Sequence, residues 1–400
     1  MLAMTMALGA LGIDLMLPAF DEIRSAFDLA SDSTRVAGIV TTYVLGLAMG
    51  TLIYGPLSDR VGRRPALSLG FALYALGALG AALAPSLGGI LAARFLWGLG
   101  AAGPRTIVLA IVRDSYRGDE LAKRMSLILA VFIVVPVLAP SLGALIVAVA
   151  PWRWVFWASL AFVSGIALWA MRIPETLDPS ERIDSGAADI LRAVRTVIGN
   201  RQTMGYMLAL TVSFGAFVSY LASSELILSD VFDRAGLFPF FFGLLAAVMG
   251  TAMLSNSRIV DRFGVRPTVR HALIAYVAAA GTLLVVSVAA GGAPPLWLFT
   301  VLLGTVLIMH ALLIPNANAL AMDPMGQVAG TAASVIGFVS TGGGAAIGAV
   351  IDRAFNGTVT PLAIGFLVSA AAALLLTTWA DRHPHDPELV VLGGPGQAVG

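Results

Sequence analysis

The chain has 400 residues, of which 58% are hydrophobic and only 12% are charged, and its formal net charge is +1. Soluble domains are about a quarter charged, so a soluble fold of this length would lack the polar groups that cover a surface. The absence of cysteine excludes disulfides and thiolate metal sites, and the near-neutral charge gives no support for nucleic-acid binding. The composition therefore predicts an integral protein of the lipid bilayer.

Twelve stretches of the chain are long and apolar enough to cross a bilayer as a helix, which takes about 20 residues. Their apolar runs are continuous rather than alternating, and this favours helices over a β-barrel. The predicted fold class is an all-α membrane protein with twelve transmembrane helices. We expect the spans at residues 2–20, 37–56, 67–85, 88–112, 125–148, 152–171, 204–228, 237–257, 268–290, 295–315, 329–351 and 360–380.

Basic residues are distributed unevenly between the two ends of these spans. If the N-terminus is placed in the cytoplasm, most arginines and lysines fall in inner loops. The outer loops hold only Arg24, Arg35, Arg153, Arg234 and Arg353. Because basic loops stay on the cytoplasmic side, we expect a multi-pass protein of the inner (plasma) membrane with both termini in the cytoplasm.

One long hydrophilic stretch divides the spans into two groups of six. It presents Ile190, Leu191, Val194, Val197 and Ile198 at helical spacing, next to arginines. Such a stripe is typical of an amphipathic helix that lies on the membrane surface. The expected organisation is a six-span bundle at 1–171, a cytoplasmic linker at 172–203, a second six-span bundle at 204–381 and a cytoplasmic tail at 382–400.

A short charged motif occurs twice. Residues 59–65 read Asp-Arg-Val-Gly-Arg-Arg-Pro, and residues 261–267 read Asp-Arg-Phe-Gly-Val-Arg-Pro, 202 positions later (261 − 59). Both copies fit DRxGxRP between apolar stretches, which predicts two pseudo-symmetric halves, as in many secondary transporters. A solvated basic loop is the plain alternative, but the repetition favours a conformational latch. Its expected residues are Gly55, Asp59, Arg60, Gly62, Arg63, Arg64, Asp261, Arg262 and Gly264.

Asp14 and Arg94 are ionisable residues within predicted spans. A carboxylate among apolar neighbours is costly in lipid and normally faces a cavity or a partner, and burial suits a group that gains and loses a proton. Asp14 and Arg94 each lie about six residues from the outer end of their span, so an ion pair between them is expected. Competition between that pair and a proton would couple protonation to movement. The alternatives are an Asp14 that reaches the headgroups and a static ion pair.

Five further polar residues in the spans are candidates. Arg105 follows Arg94 by eleven residues, which puts both on one helix face, so it lines a cavity or packs on a neighbouring backbone. Glu225 is a second candidate acid for proton coupling, or it lies at the outer mouth with Asp230. The remaining three are His310, a packed residue or a proton relay, and Asn316 and Asn318, which contact substrate or cap span 10.

Several of these segments resemble motifs of the major facilitator superfamily. Residues 55–65 are similar to its loop 2–3 signature, and residues 94–103 resemble the span 4 motif of its drug:proton antiporters. Residues 13–18 are similar to the span 1 motif of the Bcr/CflA multidrug branch, and residues 315–322 with 329–334 resemble its spans 10–11. In the span 5 antiporter motif the chain keeps Pro140 and Gly143, which the resemblance assigns to helix packing, but few other glycines.

This resemblance implies the major facilitator fold and proton-coupled export of small lipophilic, drug-like compounds by alternating access. Asp14, Arg94 and Glu225 would take part in proton coupling, and Arg105, His310, Asn316 and Asn318 would line the substrate cavity. The chain has no phosphate-binding GxxxxGK[ST] sequence, so an ion gradient must supply the energy. The expected partners are substrate, protons and lipid, with no metal, no other cofactor and a monomeric state. The alternatives are a nutrient or metabolite transporter and, remotely, a polytopic membrane enzyme.

Overall fold

The structure is a computed structural model that describes residues 1–30, 33–116, 118–178, 180, 182 and 187–382. Its described part is all-helical and contains no strand. The helices are α1 (Leu2–Asp14), α2 (Phe20–Ala26), α3 (Gly38–Val61), α4 (Arg63–Leu83), α5 (Leu87–Ser115), α6 (Gly118–Val149), α7 (Trp154–Ala170), α8 (Ala187–Gly199), α9 (Arg201–Leu226), α10 (Phe238–Phe263), α11 (Val265–Ala289), α12 (Leu296–Met322), α13 (Ala329–Arg353) and α14 (Thr360–Asp381).

The apolar stretches of the sequence are helical. Within the described residues, ten helical segments are long and apolar enough to cross a bilayer. Two further apolar stretches, Val134–Val149 and Trp154–Ala170, are helical but shorter. With this many apolar helices the chain is a multi-pass membrane protein.

The first span differs from the expected single helix over residues 2–20. Helix α1 ends at Asp14, a 3-10 turn follows at Leu17–Ala19, and α2 continues to Ala26. Pro18 lies in that turn, where its missing N–H and fixed φ interrupt the α-helical hydrogen bonds. The helical segment is therefore longer than expected, and Asp14 lies at its break.

Glycines let the helices around this break approach each other closely. A Cβ atom on Gly98 of α5 would lie 1.9 Å from the carbonyl oxygen of Tyr43 on α3. On the facing helix, a Cβ on Gly46 would lie 2.0 Å from the carbonyl oxygen of Phe95. Small residues at helix interfaces give this close backbone contact in membrane proteins. The glycines near Arg94 thus fix the distance between α3 and α5.

Helices α1–α7, here called the N-terminal helices, pack mainly among themselves, as do the C-terminal helices α9–α14. The two sets meet where α3 lies along α13 and where α6 contacts α10. The α3–α4 and α10–α11 turns carry the two DRxGxRP motifs, and we call their side of the bundle the basic end. The start of α3, next to α2, lies at the opposite end.

The hydrophilic stretch between α7 and α9 contains the expected amphipathic helix, α8. Its side chains Ala193 and Val197 are buried, and the helix contacts α9 and α13. Leu191 and Ile198 are exposed, which leaves apolar surface for the membrane interface. Helix α9 begins at Arg201, a few residues before the expected boundary of the linker. Most of the predicted tail, from residue 383 onward, lies outside the described residues.

Candidate functional site

Asp14 is the last residue of α1 and is buried, with 4% of its surface exposed. The described part of the chain offers its carboxylate neither a hydrogen bond nor an ion pair. It interacts electrostatically with Tyr43 of α3 and Tyr220 of α9. Asp14 therefore lies near both the N-terminal and the C-terminal helices, and the expectation that it faces a cavity rather than lipid stays a prediction.

Three side chains hold the backbone of α1 just before Asp14. The Tyr74 hydroxyl donates to the carbonyl of Leu8 over 3.1 Å, and the Tyr43 hydroxyl donates to that of Gly9 over 2.9 Å. Arg94 Nη1 donates to the carbonyl of Gly12 over 2.8 Å. The last four carbonyls of a helix have no partner within it, so Arg94 caps α1 and offsets the negative end of its dipole.

The expected ion pair between Asp14 and Arg94 is absent from the described contacts, and that prediction is wrong for this structure. Arg94 is fully buried, and its Nε donates to the carbonyl of Ile39 over 3.2 Å. Its guanidinium also stacks over the rings of Tyr43 and Trp97, at 4.2 and 4.6 Å. The physical reason is the break in the first span after Asp14. It leaves the carbonyl of Gly12 free to accept a hydrogen bond from Arg94, close to the carboxylate of Asp14. Arg94 therefore acts on the segment that carries Asp14.

Arg105 is exposed although it lies deep in α5, with buried Ala101, Ala102 and Pro104 beside it. It lies near Tyr43 of α3. The described residues provide no hydrogen bond to the arginine, so the alternative of a backbone-packing role has no contact to support it. An exposed charge at membrane depth needs water, and cavity lining stays the prediction for Arg105.

A row of aromatic rings extends from Asp14 into the C-terminal helices. Tyr220 stacks on Phe242 at 5.7 Å, and the ring of Phe217 lies 6.0 Å from that of Tyr220. His310 stacks on Phe217 at 4.9 Å, is buried, and has no partner for Nδ1 among the described residues. These contacts favour the packed interpretation of His310. Phe217 itself is only partly buried, so the row has an apolar surface to offer.

Asn316 and Asn318 differ in their surroundings. Asn316 is buried and donates to Asn256 Oδ1 on α10 and to the carbonyl of Leu312, both over 2.7 Å. Asn318 is exposed. The expectation that either residue caps span 10 is wrong, because α12 continues to Met322. Asn316 joins α12 to α10, and substrate contact stays a prediction for both residues.

Gly143 gives α6 its close contact with the break in the first span. A Cβ atom at this position would lie 2.0 Å from the carbonyl oxygen of Leu15, the residue after Asp14. Pro18 is the next neighbour, at 3.3 Å. Pro140 is buried one turn earlier in α6. The close contact supports a packing role for Gly143, and the packing role of Pro140 stays a prediction.

Glu225 is buried, as expected for an acid in a span, but it has a cationic partner. Arg24 of α2 donates to it from Nη2 to Oε2 over 2.6 Å, and Asp21 also binds Arg24. This ion pair connects the N-terminal to the C-terminal helices at the opposite end. Of the two alternatives for Glu225, the one at the mouth of the bundle thus has a structural basis. Its part in proton coupling stays a prediction.

Sequence reasoning missed Arg24 and a further buried acid, Asp352. Asp352 lies at the end of α13, is 3% exposed, and its Oδ1 accepts the hydroxyls of Ser219 and Ser223 on α9, both over 2.6 Å. Arg24 was assigned to an outer loop because the apolar run ends before it. The predicted span ends at residue 351, so Asp352 and the adjacent Arg353 fall in a loop in the sequence-based prediction. Neither residue belongs to a motif, so only their contacts identify them.

The first copy of the charged motif forms an ionic cluster around Arg63. Its Nε donates to Asp114 Oδ2 of α5 over 2.8 Å, and its Nη1 donates to Ser58 Oγ over 2.9 Å and to Asp59. Gly62 forms the turn with a φ of 104°, which favours glycine. Gly55 lies against α13, since a Cβ there would be 2.7 Å from Ser334 Oγ. Arg60 is exposed.

Glu175, which sequence reasoning did not single out, caps the start of α4. Its carboxylate accepts the backbone N–H of Arg63 over 2.8 Å and that of Arg64 over 3.1 Å. Partial burial acts to raise the pKa of Glu175, but the N–H groups of Leu177, Arg63, Arg64 and Thr176 together hold it below its usual value. An anion at a helix N-terminus is stabilising, so the linker fixes the first motif.

The second copy of the motif is looser. Asp261, Arg262 and Gly264 are all exposed, and Val265 stands where the first copy has Arg63. In place of that ionic cluster, the second copy has a contact of Arg266, whose Nη2 donates to Gln202 Oε1 over 2.8 Å. Its Nη1 lies 3.9 Å from Asp381 Oδ1. The two copies therefore share a turn but not an ionic cluster.

Comparisons with known proteins agree with this architecture. The sequence model of the Major Facilitator Superfamily matches residues 2–349. An uncharacterized MFS-type transporter of Bacillus subtilis, YdgK, is 33% identical over 350 residues, which are 85% of this chain and 84% of that protein. A bicyclomycin resistance protein homolog of Haemophilus influenzae is 30% identical over 353 residues, or 88% of this chain and 87% of that protein. Multidrug resistance protein D of Escherichia coli is 26% identical over a region that covers 98% of this chain and 97% of that protein.

Solved structures share the fold at lower identity. A D-xylose–proton symporter superimposes with a TM-score of 0.73 at 12% identity, over 95% of this chain and 96% of that one. The human organic anion transporter MFSD10 gives a TM-score of 0.65 at 21% identity, over 95% and 98% of the two chains. Two of the sequence relatives carry drug-resistance names. The chain belongs to the major facilitator superfamily and is a transporter rather than an enzyme.

Proposed function

We propose that this transporter exports small, lipophilic, drug-like compounds in exchange for protons. The observation that carries the proposal is Asp14, a buried carboxylate without a partner in the described structure, at a break in the first span. A buried ionised carboxylate is costly unless it is paired. Its protonation state therefore depends on access to water, which alternating access changes from one side of the membrane to the other.

Arg94 supports this role through the backbone. It holds the carbonyl of Gly12 at the end of α1, together with Tyr43 and Tyr74 on the preceding turn. Since Gly143 of α6 packs on the carbonyl of Leu15, the two sides of Asp14 are attached to different helices. A change in the charge of Asp14 acts directly on this junction, which makes it a suitable place to couple a proton to helix movement.

Two features support a cavity that water reaches from the basic end. The ion pair of Arg24 and Glu225 ties the two helix sets together at the opposite end. Arg105 is exposed and lies between Arg94 and the basic end, where α5 finishes beside Arg63. Basic loops face the cytoplasm, so we infer that both termini lie inside the cell and that the chain lies in the plasma membrane.

The lining of this cavity favours lipophilic compounds. Phe214 and Phe217 are only partly buried and lie 6.1 Å apart, next to the stacked ring of His310. Arg105 and Asp14 add one charge of each sign. Aromatic faces bind flat apolar molecules by area and stacking. The names of two relatives, a bicyclomycin resistance protein homolog and a multidrug resistance protein, agree with this class of substrate.

The number of spans and their division into two halves are inferred from membership of the major facilitator superfamily. We infer twelve spans in two six-helix halves, at residues 1–171 and 204–381, joined by the linker with α8. The ten long and two shorter apolar helical stretches support this number.

The first DRxGxRP copy acts as a latch, because Asp59 lies one turn after Gly55, which contacts Ser334 near the start of α13. A helix N-terminus attracts a carboxylate, so Asp59 can leave its ion pair with Arg63 and bind the N-terminus of α13. A monomer suffices for this cycle.

Uptake of a nutrient or metabolite with protons is the second candidate. The same Asp14 junction supports it, and the structural likeness to a D-xylose–proton symporter concerns the fold alone. A drug-susceptibility panel separates the two. Cells that express the chain should tolerate higher concentrations of several lipophilic antibiotics, and a protonophore should abolish the difference. Unchanged susceptibility to every compound, with the protein present in the membrane, would favour uptake.

A further inference from the structure

Two grooves lie at corresponding places in the two parts of the chain. The first, about 270 Å³, lies between α4 and α7, and the second, about 220 Å³, lies between α11 and α14. Three of their lining positions are separated by the 202 residues that separate the motif copies: Arg64 and Arg266, Leu67 and Val269, and Ser68 and Arg270. Each groove therefore starts directly after a DRxGxRP turn, at the basic end.

Both grooves open on the apolar outer surface of the bundle. The helices of the first groove expose Leu76 and Leu168, and the helices of the second expose Ile274 and Leu375. Exposed large apolar side chains on a membrane protein face acyl chains. The grooves are thus accessible from the bilayer, and their lining does not include Asp14.

Each groove combines an apolar wall with arginine at the basic end. In the first groove, Leu67, Phe71 and Ala167 line the wall. Arg64 is exposed at the mouth, where its Nη2 donates to the carbonyl of Met171 over 2.9 Å.

The second groove has Val269 and Leu374 in its wall, and three arginines and one aspartate at its mouth, which leaves two positive charges (3 − 1). The aspartate, Asp381, accepts the Tyr206 hydroxyl over 3.0 Å and lies 3.9 Å from Arg266. Arg270 and Arg382 line the mouth, and neither side chain forms a hydrogen bond or an ion pair with the described residues. Both mouths are therefore cationic above an apolar floor.

We propose that each groove binds one anionic phospholipid of the leaflet at the basic end. The acyl chain would lie along the apolar wall, and the headgroup phosphate would bind Arg64 in the first groove and Arg270 with Arg266 in the second. Guanidinium groups match phosphate geometry, and basic pockets between spans recognise anionic headgroups. A free phosphate ion would use the arginines but not the wall, and a zwitterionic lipid would gain little from the cationic mouths.

The first lipid would also act on the latch. Arg64 is the neighbour of Arg63, and the backbone N–H groups of both are held by Glu175. A phosphate on Arg64 places further negative charge at the start of α4, where a helix N-terminus stabilises it. Anionic lipid should therefore stabilise the α3–α4 turn, so the grooves make latch stability depend on lipid composition.

The test uses the purified full chain in detergent and counts retained lipids by native mass spectrometry with phosphatidylglycerol or phosphatidylcholine. Wild type should retain up to two phosphatidylglycerol molecules and bind phosphatidylcholine at least fivefold more weakly. Arg64→Gln and Arg270→Gln should each weaken one site about fivefold, since one arginine near the surface contributes about 1 kcal/mol. Ala72→Trp, which fills the first groove from its exposed side without changing charge, should remove one lipid. Arg353→Gln, an exposed arginine at the opposite end, is the matched control and should change nothing.

Inorganic phosphate and glycerol phosphate are the competitors that separate the sources of the anion. Neither should displace phosphatidylglycerol at millimolar concentration. The proposal is overturned by equal retention of the two lipids in wild type, by unchanged retention in the Arg64→Gln/Arg270→Gln double variant, or by displacement with inorganic phosphate alone. Retained α-helical circular dichroism in each variant excludes loss through misfolding. An Ala72→Trp protein that keeps both lipids would remove the first groove from the proposal.

Discussion

Arg24 and Glu225 are 201 positions apart and form a buried ion pair in which Nη2 donates to Oε2 over 2.6 Å. The pair connects α2, in the continuation of the first span, to the end of α9. Removing one partner of a buried pair costs about 3–5 kcal/mol because the other charge stays buried. The cost applies only to the form that is closed at the opposite end, so the pair biases the conformational equilibrium.

The first prediction concerns this bias. Arg24→Gln should shift the protein toward the form that is open at the opposite end, and Glu225→Gln should shift it less, because Asp21 still binds Arg24. A loss of about 3 kcal/mol changes the ratio of the two forms about a hundredfold. Distances between spin labels on α2 and α9 should lengthen, and the cysteine-free chain simplifies the labelling. Arg35→Gln, an exposed arginine at the same end, is the control. Short distances that persist in both variants would remove the gating role.

The two latch copies should differ in effect. Asp59 binds Arg63 in the ionic cluster, whereas Asp261 is exposed and its side chain forms no hydrogen bond or ion pair with the described residues. Asp59→Asn should favour the form described here by about 1 kcal/mol, because Arg63 keeps its bond to Asp114 in this form, whereas α13 loses the charge that its N-terminus attracts in the other form. Asp261→Asn should have a smaller effect. The measurement is the distance distribution between labels at the basic ends of α3 and α13. Equal shifts for both variants, or none, would contradict the asymmetry.

Glu175 should make the stability of the folded protein depend on pH. Its pKa is lower in the folded protein than the usual 4.5, so its contribution to stability is present at neutral pH. That contribution is lost as the pH falls below 4.5 and through the lowered pKa. Glu175→Gln should unfold at a lower temperature than wild type at neutral pH and lose less stability on acidification. The two melting curves, recorded in detergent over a pH series, should converge under acid. Parallel curves would show that Glu175 does not cap α4.

Arg105 should be accessible to water from the basic end. A cysteine introduced by Arg105→Cys should react with a membrane-impermeant thiol reagent applied from the cytoplasm, and substrate should slow the reaction. Arg94→Cys should not react, since position 94 is fully buried. Leu76→Cys, exposed on the outer surface of α4, is the lipid-facing control and should react only with a lipid-soluble reagent. An unreactive position 105 in a folded protein would assign Arg105 to packing.

Much of this architecture could be predicted from the sequence because a bilayer imposes strong patterns. The apolar runs predicted the positions of the helices, and the repeated motif located Arg63 and Arg64 at matching turns. The break after Asp14 was harder, since Pro18 near an expected helix end is compatible with a helix that simply stops. The partner of Arg94 was predicted wrongly because spacing gives depth in the membrane but not the choice between a side chain and a free carbonyl. The contacts of Arg24, Glu175 and Asp352 join residues far apart in sequence, and no local pattern contains them.

The central claim is that Asp14 carries the proton that drives export. It is tested most directly with purified protein in liposomes, by imposing a pH gradient and following a fluorescent lipophilic substrate. Wild type should accumulate the substrate against its gradient only while the proton gradient lasts. Asp14→Asn, which keeps the shape of the side chain but cannot ionise, should exchange substrate down its gradient and fail to accumulate it. Accumulation by Asp14→Asn at the wild-type rate would contradict the account.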